Sequence, residues 1–137
     1  VFKTILLTLA GLLYFVQAGA QSIDKLAESL ASAQLEAYNN RDIEAFLIPY
    51  AEDVKVFNFP DTLQYQGIDE MRKRYTGMFE NTPDLHCKLI NRMVMGNTVI
   101  DQEEVIIRKG EKPIYAIAIY KIKDGKIAEV YFISKKE

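Results

Sequence analysis

Asp101 and Glu103 stand two residues apart in the run Val99-Ile100-Asp101-Gln102-Glu103-Glu104-Val105. In an extended chain alternate side chains point to opposite faces, so both carboxylates share a face with Val99 and Val105. If that face looks into an apolar cavity, each carboxylate raises the other's pKa and the apolar wall raises both. A carboxyl shifted in that way is a usable general acid or base near neutral pH. The opposite direction leaves both in water. Ile100 and Ile106 lie on the Gln102 face, so hydrophobicity does not choose between the two. Histidine is the one side chain type whose unperturbed pKa lies near neutrality, so His86, the one histidine, is a candidate proton shuttle to Asp101 on the neighbouring strand. Its plainer role is a strand-end histidine satisfied by a backbone carbonyl or water. Asn91 and Arg92 could hold a substrate carbonyl or carboxylate. Alternatively, Arg92 closes an ion pair with Asp101 or Glu103, which turns the site into a binding element or scaffold. Asp101 and His86 are therefore the catalytic candidates, with Glu103, Asn91 and Arg92 as ligand-binding candidates.

Other chemistries find little support. No G-x-S-x-G, P-loop or G-x-G-x-x-G run is present, and no cofactor is expected. A zinc site needs several His or Cys at ligand spacing; here His86 and Cys87 are adjacent on a strand and point apart, so no metal site is expected. Cys87, the sole cysteine, shares a face with Leu85 and Leu89 and reads as a buried structural thiol. Tyrosine supplies apolar area with a polar handle, as a pocket for a flat or ring-shaped ligand requires. Tyr38, Phe57, Phe59, Tyr65, Tyr75, Phe79, Tyr115, Tyr120, Tyr131 and Phe132 are the aromatic candidates for such a wall. Tyr38, Asn58, Tyr65 and Tyr120 join the ligand-binding set.

These residues need elements to position them. Ser22 to Tyr38 reads as a helix, capped by Ser22, with Ile23, Leu26, Ala27, Leu30, Ala33 and Ala37 on one stripe. Asp42 caps a short second helix carrying Ile43, Phe46 and Leu47 inward, and Pro49 ends it. Val54 to Phe59 is strand-like, and Leu63 to Gln66 pairs back. Gly67 opens a third helix, Ile68 to Phe79. Four strand-like runs follow: Leu85–Met95, Thr98–Arg108, Ile114–Ile122 and Ile127–Ser134, with Asp124-Gly125 a strong hairpin signal. Both faces of Ile114–Ile122 are apolar, whereas a sheet with one solvated face should alternate. Either a second subunit covers the outer face, giving a homodimer, or the long first helix or crowded surface side chains do.

The order of elements, the Tyr50-Ala51-Glu52-Asp53-Val54 segment after Ala37-Tyr38-Asn39-Asn40-Arg41-Asp42, and Asp124-Gly125-Lys126-Ile127 near the end resemble the nuclear-transport-factor-2-like superfamily. That superfamily includes ketosteroid isomerase and the SnoaL-like polyketide cyclases. The resemblance implies an α+β fold: a cone-shaped curved antiparallel sheet wrapped around about three N-terminal helices, enclosing one pocket. It also implies a small hydrophobic ligand and, in the catalytic reading, isomerisation, cyclisation or hydration of a carbonyl compound by proton transfer. The rival reading is a binding or dimerisation module without chemistry. Ketosteroid isomerase uses an Asp base with a Tyr and a protonated Asp as oxyanion hole. Alignment places those roles near Gln34, Asn58 and Ala118, none of which carries the chemistry, so a standard ketosteroid isomerase is not expected.

The N-terminus has a separate reading. Lys3, the mostly apolar Ile5–Val16 and Ala18-Gly19-Ala20 form a signal-peptide layout over residues 1–20, with cleavage before Gln21. About a dozen apolar residues fall short of the roughly 20 that span a bilayer. The expectation is export to the periplasm or the medium, with no stable membrane anchor after cleavage. The remaining single domain, 21–137, would carry 16 basic against 19 acidic residues. That balance gives no electrostatic footprint for nucleic acid.

Overall fold

The computed structural model describes residues 22–135; the expected signal peptide lies outside them. Helix α1 runs through residues 22–40. Ser22 is already helical, so it is not the cap the sequence suggested. The buried stripe of α1 is Ala27, Ala31, Gln34 and Ala37, while Ile23 and Leu26 are exposed. The stripe is thus rotated from the one hydrophobicity picks out. Three alanines let the helix approach the sheet closely, and Gln34 is admitted because both its amide nitrogen and its oxygen are hydrogen-bonded.

Helix α1 ends in a Schellman motif. Asp42 N–H donates to Ala37 O and Arg41 N–H to Tyr38 O, both at 3.0 Å, with Arg41 left-handed at φ 53°. Asp42 then caps α2 (Ile43–Leu47), its Oδ1 accepting from Ala45 N. Strand β1 is Tyr50–Asn58, β2 is Thr62–Gln66, and α3 is Ile68–Asn81. Gly67 precedes α3 at φ 95°, a conformation that requires glycine. Strands β3 (His86–Met95), β4 (Thr98–Ile106), β5 (Ile114–Lys123) and β6 (Lys126–Ser134) complete the chain.

The six strands form one curved, open sheet in the order β2-β1-β6-β5-β4-β3. Neighbours are antiparallel except β1 and β6, which run parallel. On β4 the inward face is Val99, Asp101, Glu103 and Val105: Val99 and Asp101 are fully buried and Glu103 nearly so. On β5 it is Ala116, Ala118, Tyr120 and Ile122. Helix α1 lies against this inner face, joined to it through Gln34–Tyr120 and Ser32–Arg92 hydrogen bonds. It therefore does not cover the outer face, where Tyr115 is exposed and Ile117 and Ile119 are half-buried.

A bulge at Leu89/Asn91 in β3 matters most for the site. Before it, Cys87 and Leu89 face inward; after it, Arg92 and Val94 do. The extra residue turns the strand over. Arg92 thereby arrives opposite Asp101 on the inner face, although simple alternation puts it on the face of His86.

Candidate functional site

Between α1, α3 and the inner sheet face lies a cavity of about 220 Å³. Its wall is Gln34, Leu35, Tyr38, Tyr50, Tyr75, Met78, Cys87, Glu103, Val105, Ala116, Tyr120 and Phe132. Phe46 packs beneath at 4.4 Å from the Tyr75 ring and 5.2 Å from the Tyr50 ring. Asn39 fixes the rim. Its side-chain amide donates to Cys87 O at 2.9 Å and accepts from Cys87 N at 2.7 Å. That two-way clip ties the end of α1 to β3 and so sets Tyr38 and Cys87 side by side.

One hydrogen-bond chain crosses the cavity wall, and its direction can be assigned. Gln34 Nε2 donates to Ala31 O at 3.1 Å and to the Tyr120 hydroxyl at 3.0 Å, while Oε1 accepts from the Tyr50 hydroxyl at 3.2 Å. The helix carbonyl can only accept, so it fixes the amide orientation. The Tyr120 oxygen accepts a hydrogen bond from Gln34, and its own O–H donates to Glu103 Oε1, at 3.4 Å. A proton held by Glu103 therefore belongs on Oε2.

Glu103 is the carboxylate of the cavity. Burial, followed by the charge of Asp101, pushes its carboxyl up from 4.5 to about 7; the Tyr120 hydrogen bond, Cys87 and Arg92 oppose the rise. At neutral pH such a group both takes and gives protons. Burial likewise raises the Tyr38, Tyr50, Tyr75 and Tyr120 phenols and the Cys87 thiol well above their ordinary values. They stay neutral, and the phenols remain donors. Tyr38 has the least committed hydroxyl of the hydrogen-bonded wall tyrosines, its partner being Met78 Sδ at 3.8 Å. A thioether is a weak acceptor, so this O–H can be given to a ligand oxygen.

Asp101 is fully buried but closed. Arg92 Nε and Nη2 each donate to one of its oxygens at 2.7 Å, and Arg92 Nη1 donates to Ser32 Oγ at 2.6 Å. A forked pair of this kind is scaffold, so the base expected at Asp101 is occupied by Arg92. The expected partnership of His86 with Asp101 is not formed either. His86 is exposed and sits opposite Ile106, on the other face from Cys87. Asn91 is exposed at the bulge and Asn58 is exposed at the end of β1, so neither reaches the cavity. Tyr65 is half-buried outside the wall, with the Arg74 guanidinium 4.6 Å from its ring centre and a buried hydroxyl that lacks a hydrogen-bond partner among the described residues.

Of the sequence candidates, the structure brings Tyr38, Glu103 and Tyr120 to one cavity. Of the other proposed wall aromatics, Tyr75 and Phe132 line it. Phe57 and Tyr131 stack on each other at 4.7 Å instead, and Phe59 and Tyr115 are exposed. Sequence reading missed Gln34 and Tyr50 as wall residues, and Cys87 as more than core. The signal for Gln34 was a lone amide continuing the Ala27, Ala31 stripe at helical spacing. Tyr50 depends on a strand start that only non-local pairing reveals.

The fold is shared with several solved structures. A cystatin-fold protein from Novosphingobium aromaticivorans superposes with a TM-score of 0.72 at 22% identity, over 78% of this chain and 97% of that one. A SnoaL-like protein from Burkholderia thailandensis gives 0.69 at 16%, over 82% and 96%. An LEH-like epoxide hydrolase from M. tuberculosis gives 0.67 at 16%, over 82% and 84%. At these identities the likeness is one of fold. No match was found among curated protein sequences. The SnoaL-like domain model matches residues 31–130, and with the helix-lined cavity of the open sheet this places the chain in the SnoaL-like family of the nuclear-transport-factor-2-like superfamily.

Proposed function

We propose that this protein binds a small hydrophobic carbonyl compound and catalyses proton transfer on it, as an isomerase, cyclase or hydratase. The observation that carries this reading is Glu103, a carboxyl in an apolar cavity, poised at about 7, with an under-used Tyr38 hydroxyl in the same wall. In the reaction, Glu103 Oε2 takes a proton from the carbon beside the carbonyl. The C–H electron pair moves into the enolate, and Tyr38 O–H donates to the oxygen that gains the charge. Glu103 then returns the proton to the same or another carbon. The Asp101–Arg92 pair holds the wall behind it.

The direct test is hydrogen–deuterium exchange of the methyl protons of acetophenone in D2O, followed by NMR. Exchange above buffer background is expected. It should rise with pH through about 7, because the base must be ionised. Glu103→Gln is expected to lower it by about 10²–10⁴, the usual weight of a general base. Exchange that persists in Glu103→Gln would sink the assignment. A second reading, a binding module without chemistry, is favoured by the closed Asp101–Arg92 pair; saturable binding without exchange would decide for it. Steroid isomerisation is expected at background, since Gln34 is a neutral amide, Asn58 is exposed and Ala118 is apolar. Export and homodimerisation belong to the same proposal.

A further inference from the structure

The polar inventory of the cavity limits what it can hold. Gln34, Tyr50 and Tyr120 spend their hydrogen-bonding groups on one another and on Glu103. Arg92, the cation that bears on Glu103, has its fork on Asp101 and its remaining nitrogen on Ser32. No lysine, arginine or histidine lines the cavity among the described residues. Tyr38 O–H, Tyr75 O–H and the oxygen of Glu103 that Tyr120 leaves, which only the weakly donating Cys87 thiol engages, remain to meet a ligand's polar end. The volume, about 220 Å³, lies below the range of about 300–1,000 Å³ that serves drug-sized ligands.

Each ligand charge meets a different fate in such a site. An anion would face Glu103 with Asp101 behind it, and no free cation offsets its desolvation. An ammonium could approach Glu103, but it brings three N–H donors, and the amide carbonyl of Gln34 is already taken. Burying unmet donors is costly. A neutral molecule with one carbonyl oxygen brings no charge and no donor of its own, and the two lone pairs of that oxygen can accept from the wall phenols.

We infer that the cavity takes a compact, uncharged molecule no larger than one substituted ring, whose single carbonyl-type oxygen is received by Tyr38. This rests on the proton-transfer reading for the role of that oxygen, and it adds the size and charge of the substrate.

The test compares acetophenone with 1-phenylethylammonium, benzoate, ethylbenzene and progesterone by ligand-observed NMR titration of the full chain. Acetophenone is expected to bind at least about tenfold more tightly than either charged isostere, about 1.4 kcal/mol. Progesterone should neither saturate nor displace it. Tyr38→Phe should weaken acetophenone but leave ethylbenzene unchanged, a split that general loss of packing would not produce. Ala116→Phe, which fills the cavity, should abolish binding of both, with an unchanged circular dichroism spectrum as the control for folding. Equal or tighter binding of the ammonium or the carboxylate overturns the inference. So does progesterone competing for the site, or no saturable binding of acetophenone. Acetophenone that binds but does not exchange its methyl protons leaves the ligand class standing and refutes the proton-transfer reading alone.

Discussion

A proton on Glu103 is held more tightly in the folded chain than out of it, because burial lifts the carboxyl from 4.5 to about 7. Between those values the folded chain keeps a proton that the unfolded chain has released. Stability therefore falls as pH rises through that window and is level above it. The full span corresponds to about 3 kcal/mol. Glu103→Gln is neutral throughout and is expected to gain on the parent by up to that amount between pH 4.5 and about 7, as read from urea midpoints. A parent-minus-variant difference that does not change across the window would refute the burial argument. Gln34 acts on the same proton through Tyr120. Gln34→Leu removes the donor that directs the Tyr120 hydroxyl at Glu103, so it should move the midpoint of the pH–exchange profile upward from about 7. It should also cost about 1–3 kcal/mol for the polar groups left unpaired. A fall in melting temperature with an unmoved midpoint would reduce Gln34 to a packing residue.

Strand β3 decides which carboxylate is free. Its bulge turns Arg92 inward against Asp101, and by occupying one acid it leaves the other to the cavity. Asp101→Asn strands a buried guanidinium and should destabilise the fold by about 3–5 kcal/mol, whereas Arg92→Met with Asp101→Leu should be close to neutral. The single change should also lower the Glu103 midpoint, since it removes a charge that raises the carboxyl and frees one that lowers it. A nearly unchanged melting temperature for Asp101→Asn would show that the pair does not support the wall. The sequence could show that Asp101 and Glu103 share a face, because strand alternation is local. It could not show that β3 changes faces at Leu89/Asn91, because no glycine or proline marks the bulge. His86 and Arg92, taken as neighbours on one face, therefore part company. The same limit applies to β1, which begins at Tyr50 rather than Val54 because Tyr50 pairs in parallel with Ile127. Helices and hairpins announce themselves through caps, periodicity and Asp124-Gly125; contacts between distant segments leave no such trace.

The whole chain has an unspent surface. The fold class was legible through the resemblance, which rests on the order of a long helix, a short helix, a Gly67-led helix and a run of hairpins together with the Tyr50–Val54 and Asp124–Ile127 segments. The other face follows from the same count: α1 lies on the inner side, and among the described residues no helix is left to cover the outer one. Export is a prediction of the N-terminal residues. Protein recovered from its host's periplasm or medium should begin at or near Gln21, and a membrane-bound product retaining residues 1–20 would refute it. The outer face carries the second prediction. Across it the register sets Ile119 between Ile100 and Tyr131, and Ile117 between Gln102 and Ile133, with Phe57 stacked on Tyr131. Tyr115, Met93 and Ile133 on it are exposed at 49%, 58% and 38%. Such a band crosses strands β3, β4, β5, β6 and β1 and offers a continuous apolar surface to a second copy of itself. Two-fold pairing covers the same patch on both chains at once. Light scattering is expected to give twice the chain mass, and Ile117→Glu should give the single chain mass with the cavity intact, because an unpaired charge buried at the interface costs several kcal/mol. The inner face should not register the change, so acetophenone binding in the variant stays at the parent value. A parent protein that scatters as a single chain at high concentration refutes the dimer.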